Sequence, residues 1–511
     1  MKVVMLMAAA MAAFTSVPAG QTLEYATPES QGMESAAIVR WLDACDREFG
    51  GSSAGAIHGF VIVRHGKIVA EGSFSPFNTL ENTHALYSHS KSFTSTAIGF
   101  LVDDGKLDLD ERVVALFPEE APSAPSENLR QLRVRDLLTM NMGASFTDAE
   151  RKDAAKSWVR NLLGNEFERP CGTIFKYDSG AMYLLSAIVE KKSGMKLMDF
   201  LNGRLFSKLG IKRAWSTTSP EGIACGGWGM NMTTRELALF GQFYLQKGRW
   251  GGEQLLSEEW VTLATSRQTW SNGITVQAQT IGSGSDWQQG YGFQFWRCRP
   301  HGAYRADGAN GQYTIVLPDQ DAVVSIHAGL GNMQKEIDLV WNYLLPGMKP
   351  VPLVEDPAAK RALDQRLASL AIPPVKGVKA GAEKYVGFSY PFEANPRGYQ
   401  GVRLDCENGV WLLKFNARAG EVTMPLGFGE WLRSEIRVDP EKDEGLAKII
   451  GTHPVAASAA VEPNGELKAV VRLLDSPQRL EFIFSEKNGR PGVNGAVIGI
   501  GGSKFVGQAA P

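Results

Sequence analysis

Ser88-His89-Ser90-Lys91-Ser92-Phe93-Thr94 is the stretch on which the reading of this chain turns. It sets a serine hydroxyl and a lysine amine three residues apart, where an apolar-periodic run through Phe93, Ala97, Ile98 and Leu101 begins. On a helix, positions i and i+3 share a face. The amine then stands beside the hydroxyl and can help remove its proton, the minimum for an acylating serine that has no catalytic histidine. The competing reading is a polar helix start, with Ser88 as N-cap and Lys91 solvated. The same spacing recurs at Ser193-Gly194-Met195-Lys196, where a glycine after a helical run reads as a helix end.

Composition narrows the classes. The chain has 511 residues, of which 44% are hydrophobic and 21% charged, so it has room for two or more domains around a large core. A formal net charge of −2 with no long charge run leaves no basic field for nucleic acid. The 55 glycines predict many tight turns and a sizeable β component. Met1 to about Ala19 reads as an export signal: Lys2, an uncharged run from Val3 to Phe14, then small Val17 and Ala19 before Gly20. That run is too short to span a bilayer, and the expected destination is the periplasm or the exterior. The five cysteines (Cys45, Cys171, Cys225, Cys298, Cys406) share no metal-ligand or redox spacing. They read mostly as small core residues, with one disulfide open to any two that meet in space. The seven histidines form no HExxH-like cluster, so neither a metal site nor a cofactor is expected.

Four regions are expected: a signal peptide over 1–20, a catalytic domain over 21–346, a proline-rich linker over 347–376 and a small β domain over 377–511. Within the second, Ala36 to Glu48 reads as an amphipathic helix, and Gly59 to Gly72 as a hairpin about His65-Gly66. The helix carrying Ser88 and Lys91 stops near Asp104-Gly105. Further helices are expected at Val134–Met142, after Gly180 to Ser193, at Thr233–Gln246 and at Glu336–Leu344. Strands are expected at Tyr291–Arg297, Gln312–Leu317 and Ala322–His327. The linker holds a charged helix, Pro357–Leu370. Beyond it, alternating strands are expected at Gly401–Leu404, Val410–Phe415, Leu467–Leu474 and Arg479–Ser485. Trp411 and Trp431 carry two readings there, exposed sugar platforms or core residues.

In this order the segments resemble the serine β-lactamase and penicillin-binding-protein superfamily, nearest its class C-like branch of esterases, D-aminopeptidases and 6-aminohexanoate-dimer hydrolases. The resemblance covers roughly residues 25–345. Besides the opening stretch it rests on Val134-Arg135-Asp136-Leu137-Leu138-Thr139-Met140, on Gly172-Thr173-Ile174-Phe175-Lys176-Tyr177-Asp178-Ser179-Gly180, on Gly226-Gly227-Trp228-Gly229-Met230 running into Thr234-Arg235-Glu236-Leu237, and on Gly308-Ala309-Asn310-Gly311-Gln312-Tyr313. It implies an antiparallel sheet flanked by helices, with an all-helical region beside it and the small β domain after it. It also implies Ser88 as nucleophile, Lys91 as the family lysine, Tyr177 as proton shuttle, and the backbone N–H groups of Ser88 and Ala309 as the oxyanion hole.

Two departures stand out. The asparagine of the family's Tyr-x-Asn element is Ser179. The third motif, usually Lys-Thr-Gly or His-x-Gly, reads Ala306-Asp307-Gly308. Alanine cannot hold a substrate carboxylate, and Asp307 repels one if it faces the cleft, unless Arg305 or Arg297 compensates. Ser179, Asp307 and Gly308 are therefore candidate substrate-binding positions. The expected activity is cleavage of a small ester, amide or peptide through a Ser88 acyl-enzyme, with carboxylesterase, amidase or D-aminopeptidase character favoured over β-lactamase. The alternative is a ligand-sensing or penicillin-binding module that acylates slowly or not at all. The free pKa of lysine is about 10.4 and that of tyrosine about 10, so burial or a neighbouring charge must retune both. A Lys91 cation is expected to lower Tyr177. His89 diverges from Ser88 on a helix and reads as structural. Oligomeric state has no signal in the sequence.

Overall fold

The hairpin expected about His65-Gly66 lies in the middle of the main sheet. His65 and Gly66 take φ of 49° and 73°, the left-handed pair that a two-residue turn between twisted strands requires. In the computed structural model, which describes residues 23–50, 55–144, 157–271, 284–395, 398–417, 420–438, 451–487, 489–499 and 502–509, seven strands form this sheet. They are β1 (Glu24–Tyr25), β2 (Ile57–Arg64), β3 (Lys67–Ser73), β4 (Trp296–Arg297), β5 (Tyr304–Gly308), β6 (Gln312–Leu317) and β7 (Ala322–Ala328), in the order β1-β3-β2-β7-β6-β5-β4. Every pairing is antiparallel except β1 with β3. The export signal read at Met1–Ala19 lies outside the described residues.

Side-chain alternation makes β2 the partition between two cores. Phe60 and Ile62 face α1 (Ser35–Phe49), together with Trp41, Tyr313 and Ile315. Val61 and Val63 face the helical side with Phe93, Ala97 and Leu101. On that side lie α2 (Ser90–Asp103), α3 (Ser179–Ser193) and α4 (Thr234–Leu245). Both faces of the sheet are covered, so the central strands are buried along their whole length. The start of α4 is set by a capping box in which Thr233 accepts from the Glu236 N–H while Glu236 accepts from the Thr233 N–H. The second Ser-x-x-Lys is a helix end, as read: Gly194 takes φ 72°, Ser193 Oγ donates to the Val189 carbonyl at 2.6 Å, and Lys196 pairs with Glu190.

Three expected elements are shorter or different. The helix from Val134 stops at Leu138, because Met140 adopts φ 60°. Of the strand expected over Tyr291–Arg297, only β4 pairs in the sheet through the ladder to β5; Gln294 at φ 70° turns the chain before it. The last helix of this region begins earlier, at Met333, and continues past Leu339 as a π-helical turn, Val340–Leu344. In the proline-rich stretch, helix α5 (Pro357–Ala368) lies against α1 through an Arg366–Asp43 pair at 3.2 Å, and Ile372 N–H donates to the Ser75 carbonyl at 2.7 Å. None of the five cysteines, all among the described residues, is in a disulfide.

The C-terminal region is β-rich. A four-stranded sheet (Ser389–Pro391, Gly401–Glu407, Val410–Ala417, Gly420–Pro425) packs with a seven-stranded one around Tyr390, Phe415, Phe482, Phe484 and Phe505. The second sheet contains strands not anticipated from the pattern, among them Gly451–Val461, Arg490–Ile498 and Ser503–Gln508. Its small residues, such as Ala456, Ala457, Ala459 and Ala460, carry little β signal of their own. Trp411 is 4% exposed and packs edge-on to Phe428, so it is a core residue. Trp431 donates its indole N–H to the Ile372 carbonyl at 2.8 Å.

Trp41 is fully buried and edge-on to Phe60 at 4.9 Å. Trp41→Ala is expected to lower unfolding free energy by about 3–5 kcal/mol, measured by urea denaturation followed by circular dichroism.

Candidate active site

Ser88 does not stand on a regular helix. It sits in a tight 3-10 turn, Tyr87–His89, that runs directly into α2, and Tyr87 before it adopts φ 47°. A non-glycine residue in that region carries strain of about 1–3 kcal/mol and persists only where its surroundings hold it. Here the Ser90 hydroxyl donates to the Tyr87 carbonyl at 2.7 Å, and Leu86 N–H donates to the Met230 carbonyl at 2.9 Å. Ser88 remains partly exposed while Lys91, on the first turn of α2, is 1% exposed.

Each ammonium hydrogen of Lys91 has an acceptor, and the three come from three segments. Lys91 Nζ donates to Ser88 Oγ at 3.0 Å, to Ser179 Oγ at 3.0 Å and to the Gly227 carbonyl at 2.6 Å. Ser179 opens α3, whose N-terminus is capped by Asp178 through the Gly180 N–H at 2.7 Å. Gly227 can come so near because Gly226, at φ 66°, has no side chain: a Cβ there would lie 2.7 Å from the Met182 carbonyl. Burial drives the Lys91 pKa down to about 7, and the negative fields of Asp178 and Asp307 offset only part of that.

Tyr177 brings its hydroxyl end to the neighbourhood of Ser88. Its ring is stacked on Trp296 at 5.7 Å, lies edge-on to Tyr291 at 6.3 Å, and has the Lys91 amine 4.9 Å from its centroid. Although 38% of the residue's surface is exposed, the hydroxyl end is buried. That burial raises its pKa, and the nearby Ser88 hydroxyl only partly offsets it. The lowering expected from a Lys91 cation is thus reversed: Tyr177 keeps its proton, and Lys91 is the group poised to exchange one near neutrality.

The third segment is strand β5 and the turn after it. Gly308 must be glycine, because a Cβ would lie 2.1 Å from the Leu86 carbonyl. This contact draws the Gly308–Gly311 turn, with partly exposed Ala309, against the chain entering Ser88. Ala306 points into the core and is fully buried. Asp307 does not confront the cleft as a free anion: Arg305 Nε donates to Asp307 Oδ2 at 2.8 Å, and both are buried. Residues i and i+2 of a strand share a face, which is the signal for this pair in the sequence. Arg305 also lies 4.6 Å from the Trp287 ring centroid. Arg297 is elsewhere, donating to the carbonyls of Thr265 and Gly302. His89 is buried and bonded to Thr314 Oγ1 at 2.9 Å, a structural role as read.

Two contributors escaped the sequence reading. The Gly227 carbonyl is a backbone group with no side-chain signature. The other is the turn Asp475–Gln478 of the C-terminal region: the Asp475 carbonyl accepts from Ala85 N–H at 2.8 Å, and Gln478 lies beside Tyr87, next to Ser88.

Against known proteins, the family described as Beta-lactamase matches residues 42–360. A 6-aminohexanoate-dimer hydrolase of Paenarthrobacter ureafaciens is 26% identical over 287 residues, covering 52% of this chain and 70% of that protein. A D-aminopeptidase of Brucella anthropi is 29% identical over 170 residues, and that alignment spans only 32% of each protein. Among solved structures, a penicillin-binding protein homolog from Caulobacter crescentus aligns with 60% of this chain and 95% of its own, at 15% identity and a TM-score of 0.48.

Because Lys91 is deprotonated above about pH 7, any acylation of Ser88 is expected to quicken as pH rises through that value. Lys91→Met is expected to flatten this limb as well as slow the reaction. Stopped-flow acylation rates between pH 5 and 9 check both.

Proposed function

We propose that this chain, which belongs to the Beta-lactamase family, is a serine hydrolase that cleaves a small ester or amide through an acyl-enzyme on Ser88, with amidase or esterase rather than β-lactamase character. The observation that carries the reading is the buried Lys91 amine 3.0 Å from Ser88 Oγ, tuned to about pH 7, with the Tyr177 hydroxyl beside the same serine. Neutral Lys91 takes the Ser88 proton as Oγ attacks the substrate carbonyl. The oxyanion is received by the backbone N–H groups of Ser88 and Ala309, where losing one donor costs about 3 kcal/mol. Tyr177, protonated, relays the proton from Lys91 to the leaving amine or alkoxide as the carbon–heteroatom bond breaks. Water, deprotonated through the same pair, then releases the acid and restores Ser88.

Substrate preference follows from β5. Ala306 is buried and Arg305 is spent on Asp307, so this strand offers no free cation to a substrate carboxylate. That favours neutral acyl groups or amines over the anionic β-lactam core. The hydrolase and aminopeptidase names of the relatives agree with an amide-cleaving role. Export from the cytoplasm is part of the proposal, and the signal-like pattern of Met1–Ala19 supports it.

The test combines a fluorophosphonate probe with intact mass spectrometry and a panel of p-nitrophenyl esters, D-amino-acid amides and a chromogenic cephalosporin. A Ser88 adduct is expected in the native chain and none in Ser88→Ala, with turnover of esters or amides exceeding that of the cephalosporin. Tyr177→Phe is expected to lower kcat by about 10²–10⁴. Full turnover in Ser88→Ala, or an adduct that never clears with any substrate, sinks the proposal.

A further inference from the structure

A cavity of about 280 Å³ lies where α1 meets the C-terminal sheet, and the chemistry at Ser88 has no use for it. Its walls are mainly apolar, with Phe49, Ile57, Phe74, Ile372, Trp431 and Val470 among them. Arg472 also lines it. It stands two residues beyond Val470 on the strand Leu467–Leu473, hence on the same face.

Arg472 is unusual in what surrounds it. It is 4% exposed, and its Nε has no hydrogen-bond partner among the described residues. Its guanidinium carbon lies 5.6 Å from the Trp431 ring centroid, and that indole has already spent its N–H on the Ile372 carbonyl. Glu481, whose field acts on Arg472, is held by Arg479 at 2.7 Å. Asp46 on the opposite wall is held by Arg366. Glu462 and exposed Lys376 add one charge of each sign to the lining, and among the described residues no carboxylate is hydrogen-bonded to the deep cation. Burying a cation without a hydrogen-bonded counter-charge is costly. A buried guanidinium beside an aromatic ring, with a donor to spare, suits a carboxylate.

We propose that this cavity is a second binding site, separate from Ser88, for a small amphipathic monoanion. The carboxylate pairs with Arg472, and the hydrocarbon body packs against Phe49, Phe74 and Trp431. Asp46 and Glu462 on the walls disfavour dianions, and the apolar lining disfavours a bare inorganic anion.

The test is titration of the full chain with octanoate, with octanamide as the neutral isostere and acetate as the anion without a tail. Calorimetry and tryptophan fluorescence read the binding. Octanoate is expected to bind and to perturb the fluorescence, with octanamide and acetate at least tenfold weaker. Arg472→Met is expected to weaken octanoate at least tenfold. Val470→Trp, which fills the cavity and leaves Arg472 in place, is expected to abolish binding, and it decides the matter if Arg472→Met does not fold. Ser88→Ala is expected to bind octanoate as the native chain does. Three results each overturn the proposal: no octanoate binding, equal binding by Arg472→Met, or binding retained in Val470→Trp. Because none of these readouts needs turnover, the proposal stands or falls independently of the reaction assigned to Ser88.

Discussion

A buried amine with three oxygen acceptors is the constraint around which the active-site half of this protein is arranged. Lys91 is almost wholly removed from water, and an uncompensated ammonium there costs several kcal/mol. The structure meets that cost with the Ser88 and Ser179 hydroxyls and the Gly227 carbonyl. These acceptors belong to the start of α2, the start of α3 and the glycine-rich approach to α4. Holding all three within 3.0 Å of one nitrogen fixes how the three helices enter the site. The same burial that makes the lysine expensive makes it useful, because it brings the amine to about pH 7. Structural demand and chemical role coincide in one side chain.

The second arrangement concerns charge beside the cleft. Asp307 occupies a position from which an unpaired carboxylate would disturb both Lys91 and an incoming substrate. Arg305 neutralises it from the same face of the strand, and the aromatic rings of Trp287 and Trp296 lie beside the guanidinium. The result is a strand that delivers Gly308 and its turn to the site but presents no free charge of its own. The strained residue before Ser88 is supported from further away, since Ala85 just before it donates to the Asp475 carbonyl and Gln478 lies beside Tyr87. The C-terminal region therefore touches the site through the residue that aims Ser88.

Much of this was legible in one dimension. Periodicity and turn chemistry placed the central hairpin, α1, α3, α4 and strands β6 and β7 within a residue or two. Each has a strong local signature, such as His65-Gly66 or the Thr233–Glu236 capping box. Where the pattern misled, at Val134–Met142 and Tyr291–Arg297, a single residue with positive φ ended the element, and neither Met140 nor Gln294 advertises that conformation. The C-terminal strands rich in alanine passed unnoticed because small side chains carry little strand preference.

By itself the sequence determined the fold class, the family, and which serine, lysine and tyrosine to watch, because those depend on spacings within single segments and on the order of the segments. Only the tertiary structure decided what those residues are. A pKa is set by burial and by neighbours from distant segments, so the fall of Lys91 and the rise of Tyr177 could not be read from spacing. The fate of Asp307 and the unpartnered Nε of Arg472 were likewise settled by packing, because whether a charge is paired depends on which strands and helices close over it.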